Sequence, residues 1–189
     1  VLTDMAAFGA GNPAVELGTV LCNAIANKMD TELIALFTGF STGLGGSGKE
    51  ITVADLFKAQ ATLRAAKVTG NIAAVLHPFQ AYQLKANLTN TFANPSGGDA
   101  QNAAMINVYV ISIAGIDVYE SANVSFSGGD AIGSVFTPEA LAMALKRDFG
   151  IESHRDASLR AFELNATAAY GVAELDDSFG VKLTFESTI

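Results

Sequence analysis

Residues 12–39 read NPAVELGTVLCNAIANKMDTELIALFTG and carry a helical repeat. Asn12 before Pro13 is a good helix start, because asparagine accepts from the first free amides and proline fits the first helical position. Apolar residues then recur every fourth position before Gly39: Leu17, Leu21, Ile25, Met29, Leu33 and Phe37. The pattern predicts one helix of about 26 residues, about 39 Å long. We interpret it as a spine shared by two lobes, with an ordinary long core helix as the alternative.

The segments after this helix alternate between glycine-rich turns and short regular elements. Residues 38–48 are glycine-rich and predict a flexible or tightly turning loop. A second helix is predicted from Thr52, whose hydroxyl caps the first turn while Asp55 reaches back. The apolar run 72–76 predicts a buried strand, and Pro78 opens a third helix to about residue 87.

The second half of the chain has the composition of strands. β-branched and aromatic residues dominate 106–121, interrupted by Gly115, and predict two strands. A further strand is predicted over 132–136, and a short capped helix over 137–146. Residues 149–188 alternate polar and apolar side chains, which is typical of half-buried strands. The sequence therefore predicts an α+β fold.

The overall composition excludes several classes of protein. The 189 residues include 11 Lys+Arg and 19 Asp+Glu, a net charge of −8, so a large basic face for nucleic acid is disfavoured. Hydrophobic residues make up 50%, which argues against intrinsic disorder. The single cysteine, Cys22, cannot form an internal disulfide and is predicted to be a small buried residue. No apolar window predicts a membrane span, no signal peptide is visible at Val1, and we expect a segment upstream of it.

Residues 43–49 match the first seven positions of a phosphate-binding loop, in which Lys49 would reach the phosphates. Glu50 occupies the eighth position, where the motif needs a hydroxyl for magnesium. The next helix signal begins only at Thr52, so the helix start would not point at a phosphate. We interpret the segment as a surface loop, with a small nucleotide-binding protein as the alternative.

The remaining catalytic patterns have ordinary explanations. The triplets at 148–150 and 154–156 copy two protein-kinase motifs, but in reversed order and three residues apart. His77 and His154 lie in different predicted elements, without a partner pattern for a triad or a metal. The acidic pairs are predicted at turns or strand ends: Asp176 with Asp177, and Asp117 with Glu120. The sequence thus assigns no catalytic, cofactor-binding or metal-binding residue.

One basic concentration stands out in this acidic chain. It consists of Lys146, Arg147, His154, Arg155 and Arg160. Two interpretations remain open: these side chains pair with acidic groups of a neighbouring subunit, or they form a solvated surface.

Five segments, in their order along the chain, resemble tailed-phage major capsid proteins of the Hong Kong 97 fold. They are residues 115–124, 132–144, 149–156, 166–172 and 180–183. The spine helix with Asp30 near its end extends the resemblance to nearly the whole chain. Each segment alone is a packing pattern, and their order carries the resemblance.

The resemblance implies a division into two lobes. Residues 1–50 and 146–189 would form the peripheral lobe with the spine helix, and residues 51–145 the axial lobe. The loop 94–101 is a candidate for a symmetry axis. The N-terminal arm and extended loop that the family normally carries before the spine do not appear in this sequence. The covalent lysine–asparagine crosslink of some members is assigned to no residue here.

The function implied by the resemblance is structural. Such proteins self-assemble as pentamers and hexamers into an icosahedral shell that encloses double-stranded DNA without sequence-specific contact. The expected location is the virion, after assembly in the host cytoplasm, with decoration, portal and scaffolding proteins as further partners and no membrane. No enzymatic activity and no cofactor are expected. An encapsulin-like compartment is the alternative within the same fold.

Overall fold

The computed structural model describes residues 2–3, 13–91, 109–113 and 115–188, so the predicted axis loop at 94–101 lies outside the described residues. The three helices are α1 (Pro13–Ala35), α2 (Val53–Ala65) and α3 (Pro78–Thr91). The strands are β1 (Leu2–Thr3), β2 (Gly43–Gly45), β3 (Ile72–Leu76), β4 (Tyr109–Ile113), β5 (Ile116–Glu120), β6 (Ser125–Ser127), β7 (Asp130–Phe136), β8 (Leu141–Asp156), β9 (Ala161–Glu174) and β10 (Gly180–Glu186).

Two compact units make up the chain. The first contains residues 1–30 and 143–172, and the second contains residues 31–142 and 173–189. The predicted lobe boundaries at 50/51 and 145/146 stay a prediction.

The first unit combines most of α1 with a small sheet. Its strands are ordered β1-β9-β8, and β1 pairs antiparallel with β9. Leu17, Leu21 and Ile25 of the predicted stripe are half-buried. A Cβ at Gly18 would lie 3.6 Å from Cδ1 of Ile151, at ordinary van der Waals distance, so α1 lies close to β8 at this residue.

The second unit is built on a larger mixed sheet. The strand order is β2-β10-β7-β3-β5-β4, and β6 pairs with β7 outside this path. Two pairs are parallel, β10 with β2 and β3 with β5, and the others are antiparallel. Buried side chains of α2, α3 and the sheet form the main core, among them Leu56, Leu63, Leu76, Leu84, Ile116, Val135, Leu183 and Phe185.

A second apolar cluster lies around the 3-10 turn Leu36–Gly39, which follows α1 directly. The Phe37 ring lies 6.3 Å from that of Phe40 and 5.2 Å from that of Phe136, measured between centroids. Gly180 is required beneath Phe40, because a Cβ there would come within 2.3 Å of the ring. This cluster fixes the end of α1 against the sheet of the second unit.

The predictions that depend on local signals agree with the structure. Helix α1 begins at Pro13, and its α-helical part ends at Ala35. Thr52 and Asp55 form the predicted reciprocal capping box of α2. The strand Ile72–Leu76 alternates between buried and half-buried residues.

Three predictions are wrong. The glycine-rich segment is not only loop, because Gly43–Gly45 forms β2, which pairs in parallel with β10. The short helix over 137–146 is a single 3-10 turn, Pro138–Ala140, followed directly by β8. Backbone hydrogen bonds hold this turn to a distant segment: the Thr137 amide donates to the Phe179 carbonyl, and the Leu175 amide to the Ala140 carbonyl. Cys22 is exposed, because it lies beside the apolar stripe of α1 and not within it.

Candidate assembly surfaces

In the glycine-rich loop, groups that would hold a phosphate in a phosphate-binding loop instead contact other residues of this protein. The Lys49 Nζ lies 3.2 Å from Oδ1 of Asp55 and 5.5 Å from the centre of the Phe185 ring. The Gly46 amide donates to the Thr184 carbonyl at 2.8 Å. The Gly48 amide donates to Oδ1 of Asp130 at 3.0 Å. This geometry supports the surface-loop interpretation and gives the nucleotide-binding alternative no free cradle in this loop.

Asp55 anchors that loop to the start of α2. Its side chain is 4% exposed and lies near two ammonium groups, Lys49 at 3.2 Å and Lys58 at 3.5 Å. It accepts from the Thr52 amide at 3.2 Å and the Thr52 hydroxyl at 2.7 Å. Burial raises the pKa of Asp55, but the hydrogen bonds from Thr52 and Lys49 and the charge of Lys49 outweigh it, so the pKa lies below its ordinary value of 3.8.

We expect Asp55→Ala to lower the free energy of unfolding by about 2 kcal/mol at pH 7, because a cap and hydrogen bonds to a buried charge are lost together. Because the pKa of Asp55 is lower in the folded protein than in the unfolded chain, the ionised carboxylate stabilises the fold at pH values above 3.8, its pKa in the unfolded chain. This stabilisation is lost as the pH falls through the lower pKa of the folded state. Urea denaturation at pH 7 and pH 3 measures this. The difference from the unmodified protein should shrink at pH 3, and Lys58→Ala, at an exposed partner, should change stability by less than about 0.5 kcal/mol. A difference that stays constant with pH would contradict the assignment.

His77 caps α3 and fastens the end of the chain to it. Its Nδ1 accepts from the Phe79 amide at 3.3 Å and lies 2.7 Å from the Ser187 hydroxyl. The imidazole stacks on Phe126, with 5.5 Å between ring centroids. Burial lowers the pKa of His77 from 6.5. His77 therefore holds the start of α3 and has a structural role in the fold.

We expect the melting temperature to decrease as the pH is lowered from 7.5 to 5.5. The folded state disfavours the charged form of His77, while the unfolded chain binds the proton near the ordinary pKa of 6.5. The stabilisation is complete above 6.5 and decreases as the pH drops toward the lowered folded pKa. Thermal melts of the protein and of His77→Asn, which keeps a capping side chain without a titrating ring, measure this. An equal decrease in both proteins would contradict the prediction.

The other candidate residues do not converge on a chemical site. Glu120 pairs with Lys85 at 3.3 Å. Within the part of the chain that the structure describes, no three side chains of histidine, cysteine, aspartate or glutamate come together as a metal site. None of the helices there is both long and apolar enough to span a bilayer.

Three of the five basic residues, His154, Arg155 and Arg160, lie at the end of β8 and in the exposed turn that leads to β9. We call residues 154–160 the ribbon tip. Lys146 and Arg147 lie earlier in β8, away from the tip. Asp156 Oδ1 accepts from the Ser158 amide at 2.8 Å, the Ser158 hydroxyl at 2.6 Å and the Leu159 amide at 3.3 Å. The Arg155 guanidinium lies 5.6 Å from the centre of the Phe162 ring. Arg160 adopts a positive φ of 46°. The turn is therefore ordered by its own side chains.

The turn after β9 carries three carboxylates, and we call residues 174–177 the acidic corner. Asp177 accepts from the amide of Ser41 at 2.7 Å and also from its hydroxyl. Asp176 accepts from the Ser178 amide at 2.9 Å. Burial raises the pKa of Glu174, and the charges of Asp177 and Asp176 raise it further. Sequence analysis placed a turn here but missed the crowding, which depends on contacts with Ser41 and Gly39 far away in the chain.

Comparison with solved structures identifies the fold. A protein of Mycobacterium phage Che8 superposes with a TM-score of 0.75 at 18% identity, covering 96% of this chain and 67% of that one. The capsid of Cyanophage P-SCSP1u gives a TM-score of 0.69 at 19% identity, covering 100% and 70%. The SrpI encapsulin of Synechococcus elongatus PCC 7942 gives 0.69 at 12% identity, covering 96% and 69%. The predicted α+β fold of the Hong Kong 97 type is confirmed.

Comparison of sequences identifies the family. A model of the phage capsid protein family matches residues 16–183, so the chain belongs to that family. No curated protein sequence matches the chain. The predicted resemblance to phage capsid proteins is thereby confirmed.

Proposed function

We propose that this chain forms the shell of a tailed, double-stranded DNA phage as its major capsid protein. The family match over residues 16–183 carries the proposal. Copies assemble as pentamers and hexamers into an icosahedral head, in the host cytoplasm, and remain in the virion. The chain acts as a structural protein and not as an enzyme. Portal, scaffolding and decoration proteins are proposed as further partners.

Exposed apolar side chains support assembly with other copies. In the first unit Met143, Leu145 and Ile151 are 48%, 48% and 43% exposed although they are large and apolar. Leu159, in the turn after β8, is 64% exposed, and Phe162 of β9 is 37% exposed. Large contiguous apolar surfaces are rare on monomers and mark contacts with other chains. Burial between copies would remove this surface from water.

The charge of the chain supports a shell that releases its contents. A net charge of −8 repels a polyanion, and the affinity of proteins for DNA comes mainly from lysine and arginine at phosphates. A shell of such subunits encloses DNA without holding it tightly. By the same analogy we propose residues 51–145 as the axial lobe and residues 1–50 with 146–189 as the peripheral lobe.

The function is tested by sedimentation of the purified full-length protein, followed by extraction of any particles after nuclease treatment. We expect fast-sedimenting particles, and, when the particles come from infected cells, protected double-stranded DNA inside them. Particles that contain protein cargo and no DNA would assign an encapsulin-like compartment instead. A monomer under all assembly conditions would overturn the shell proposal.

A further inference from the structure

The ribbon tip and the acidic corner match each other in charge and in apolar surface. Each presents one strongly exposed leucine, Leu159 at 64% and Leu175 at 65%. Along the chain Leu159 is flanked by Arg155 and Arg160, and Leu175 by Glu174 and Asp176. The carboxylate of the tip, Asp156, accepts hydrogen bonds within the turn from Ser158 and Leu159. An apolar centre with a charged rim is the usual composition of a protein contact.

Both surfaces are ordered before any contact forms. Asp156 fixes the tip through its bonds to Ser158 and Leu159, and Asp177 fixes the corner through its bonds to Ser41. A docking surface that is already rigid loses less conformational entropy on binding. Neither turn therefore needs to rearrange for docking.

The acidic corner favours an added cation. Glu174 shares its surroundings with Asp176 and Asp177, whose charges raise its pKa beyond the effect of burial. The charge of Lys182 acts on Asp177, while its Nζ donates to the Thr38 carbonyl at 3.4 Å. A guanidinium beside Glu174 would relieve the repulsion between this side chain and its neighbours Asp176 and Asp177.

We propose that the ribbon tip of one copy docks on the acidic corner of a second copy of this chain, with Leu159 against Leu175 and Arg160 facing Glu174. The occupant is a second copy because every copy carries both complementary surfaces. The proposal rests on the proposed shell function and names one contact within it. Since the two patches differ, the contact is heterologous and repeats from copy to copy, closing into a ring where the rotation allows.

Two single charge reversals test the contact in the full-length protein. Arg160→Glu and Glu174→Lys each place like charges in the contact, and each should raise the protein concentration needed for assembly by about tenfold or more. A mixture of the two variants should restore assembly in part, because alternating copies match at every contact of a six-membered ring and at all but one contact of a five-membered ring. The double variant Arg160→Glu/Glu174→Lys should restore it fully, since every copy then pairs a reversed tip with a reversed corner of its neighbour. Sedimentation at low and at high salt measures this, and the difference should shrink as salt screens the charges.

A matched control and a third variant keep the test decisive. Lys67→Glu makes the same change in net charge as Arg160→Glu at an exposed residue of the turn after α2, and should assemble like the unmodified protein. Leu159→Ser removes only the apolar centre and should weaken assembly at every salt concentration. Thermal melts should show each variant folded, since the changed side chains are exposed or half-buried.

The outcomes separate this contact from the shell function. Normal assembly of Arg160→Glu and of Leu159→Ser would overturn the contact while the shell proposal stands. Full restoration by the double variant with none at all in the mixture would place the contact within a copy and overturn the proposal. An equal defect in Lys67→Glu would assign the effect of Arg160→Glu to net charge and overturn the proposal as well. Failure of the unmodified protein to assemble would instead contradict the shell function.

Discussion

Gly133→Ala is expected to lower the free energy of unfolding by about 3 kcal/mol, the upper end of the usual cost of overpacking a core. Gly133 lies in β7, opposite Leu183 of β10. A Cβ at this position would come within 2.6 Å of the Val75 carbonyl oxygen and 3.0 Å of Cδ2 of Leu76. Val75 belongs to β3, which pairs with β7 through Ser134. The methyl group would therefore have to displace backbone between paired strands.

Urea denaturation of Gly133→Ala and of a matched variant, Gly171→Ala, measures this effect. Gly171 also lies in a strand, β9, but a Cβ there meets nothing within 4 Å. The control should change stability by less than about 0.5 kcal/mol, as exposed substitutions usually do. Equal losses in the two variants would show that glycine in a strand, and not the approach to β3, sets the cost.

Gln80→Met is expected to lower the free energy of unfolding by about 3 kcal/mol, because it leaves buried carbonyls without their donor. Gln80 is fully buried, and its Nε2 donates to the Ala131 carbonyl at 2.8 Å and the Phe185 carbonyl at 3.1 Å. Its Oε1 accepts from the His77 amide at 3.2 Å. Ala131 and Phe185 are opposite each other in β7 and β10, so one amide ties α3 to both strands.

Gln83→Met is the matched control on the same helix. Gln83 donates once, from Nε2 to the Thr188 carbonyl at 3.2 Å, and its Oε1 is buried without a hydrogen-bond partner. Methionine at this position removes one hydrogen bond and one unsatisfied oxygen, so we expect the free energy of unfolding to fall by about 1 kcal/mol or less. The account of Gln80 is wrong if urea denaturation shows the same loss for both substitutions.

The sequence predicts the elements whose signals are local. Pro13 starts α1 at the expected residue, and the capping box of Thr52 and Asp55 starts α2, because both signals act within a single turn. β2 was missed because its pairing joins Gly43 to Lys182, far apart in the chain. Strand pairing of that kind depends on tertiary contacts that no local pattern contains.

The erroneous helix over 137–146 has the same cause. An alanine- and leucine-rich run with a capped start has high helix propensity, but propensity is a weak prior that tertiary contacts override. The carbonyl of Phe179 and the amide of Leu175 hold the segment on both sides, and the chain continues as β8. Here the sheet determines the conformation.

The sequence indicated the basic candidate assembly surface but not the acidic one. The basic residues Arg155 and Arg160 stand out in an acidic chain, and pairing with acidic groups of a neighbour was one of the two interpretations. Their acidic counterpart was predicted only as an ordinary turn. Its character follows from the packing of Glu174 against Gly39 and from the bonds of Ser41 to Asp177, which only the folded chain brings together.

The most direct test of the central claim is cryo-electron microscopy of particles formed by the full-length protein. The shell account predicts closed icosahedral particles built of pentamers and hexamers, with this fold in every subunit. The same maps locate the ribbon tip relative to the neighbouring subunit. A protein that stays monomeric, or that forms only open aggregates without symmetry, would contradict the account.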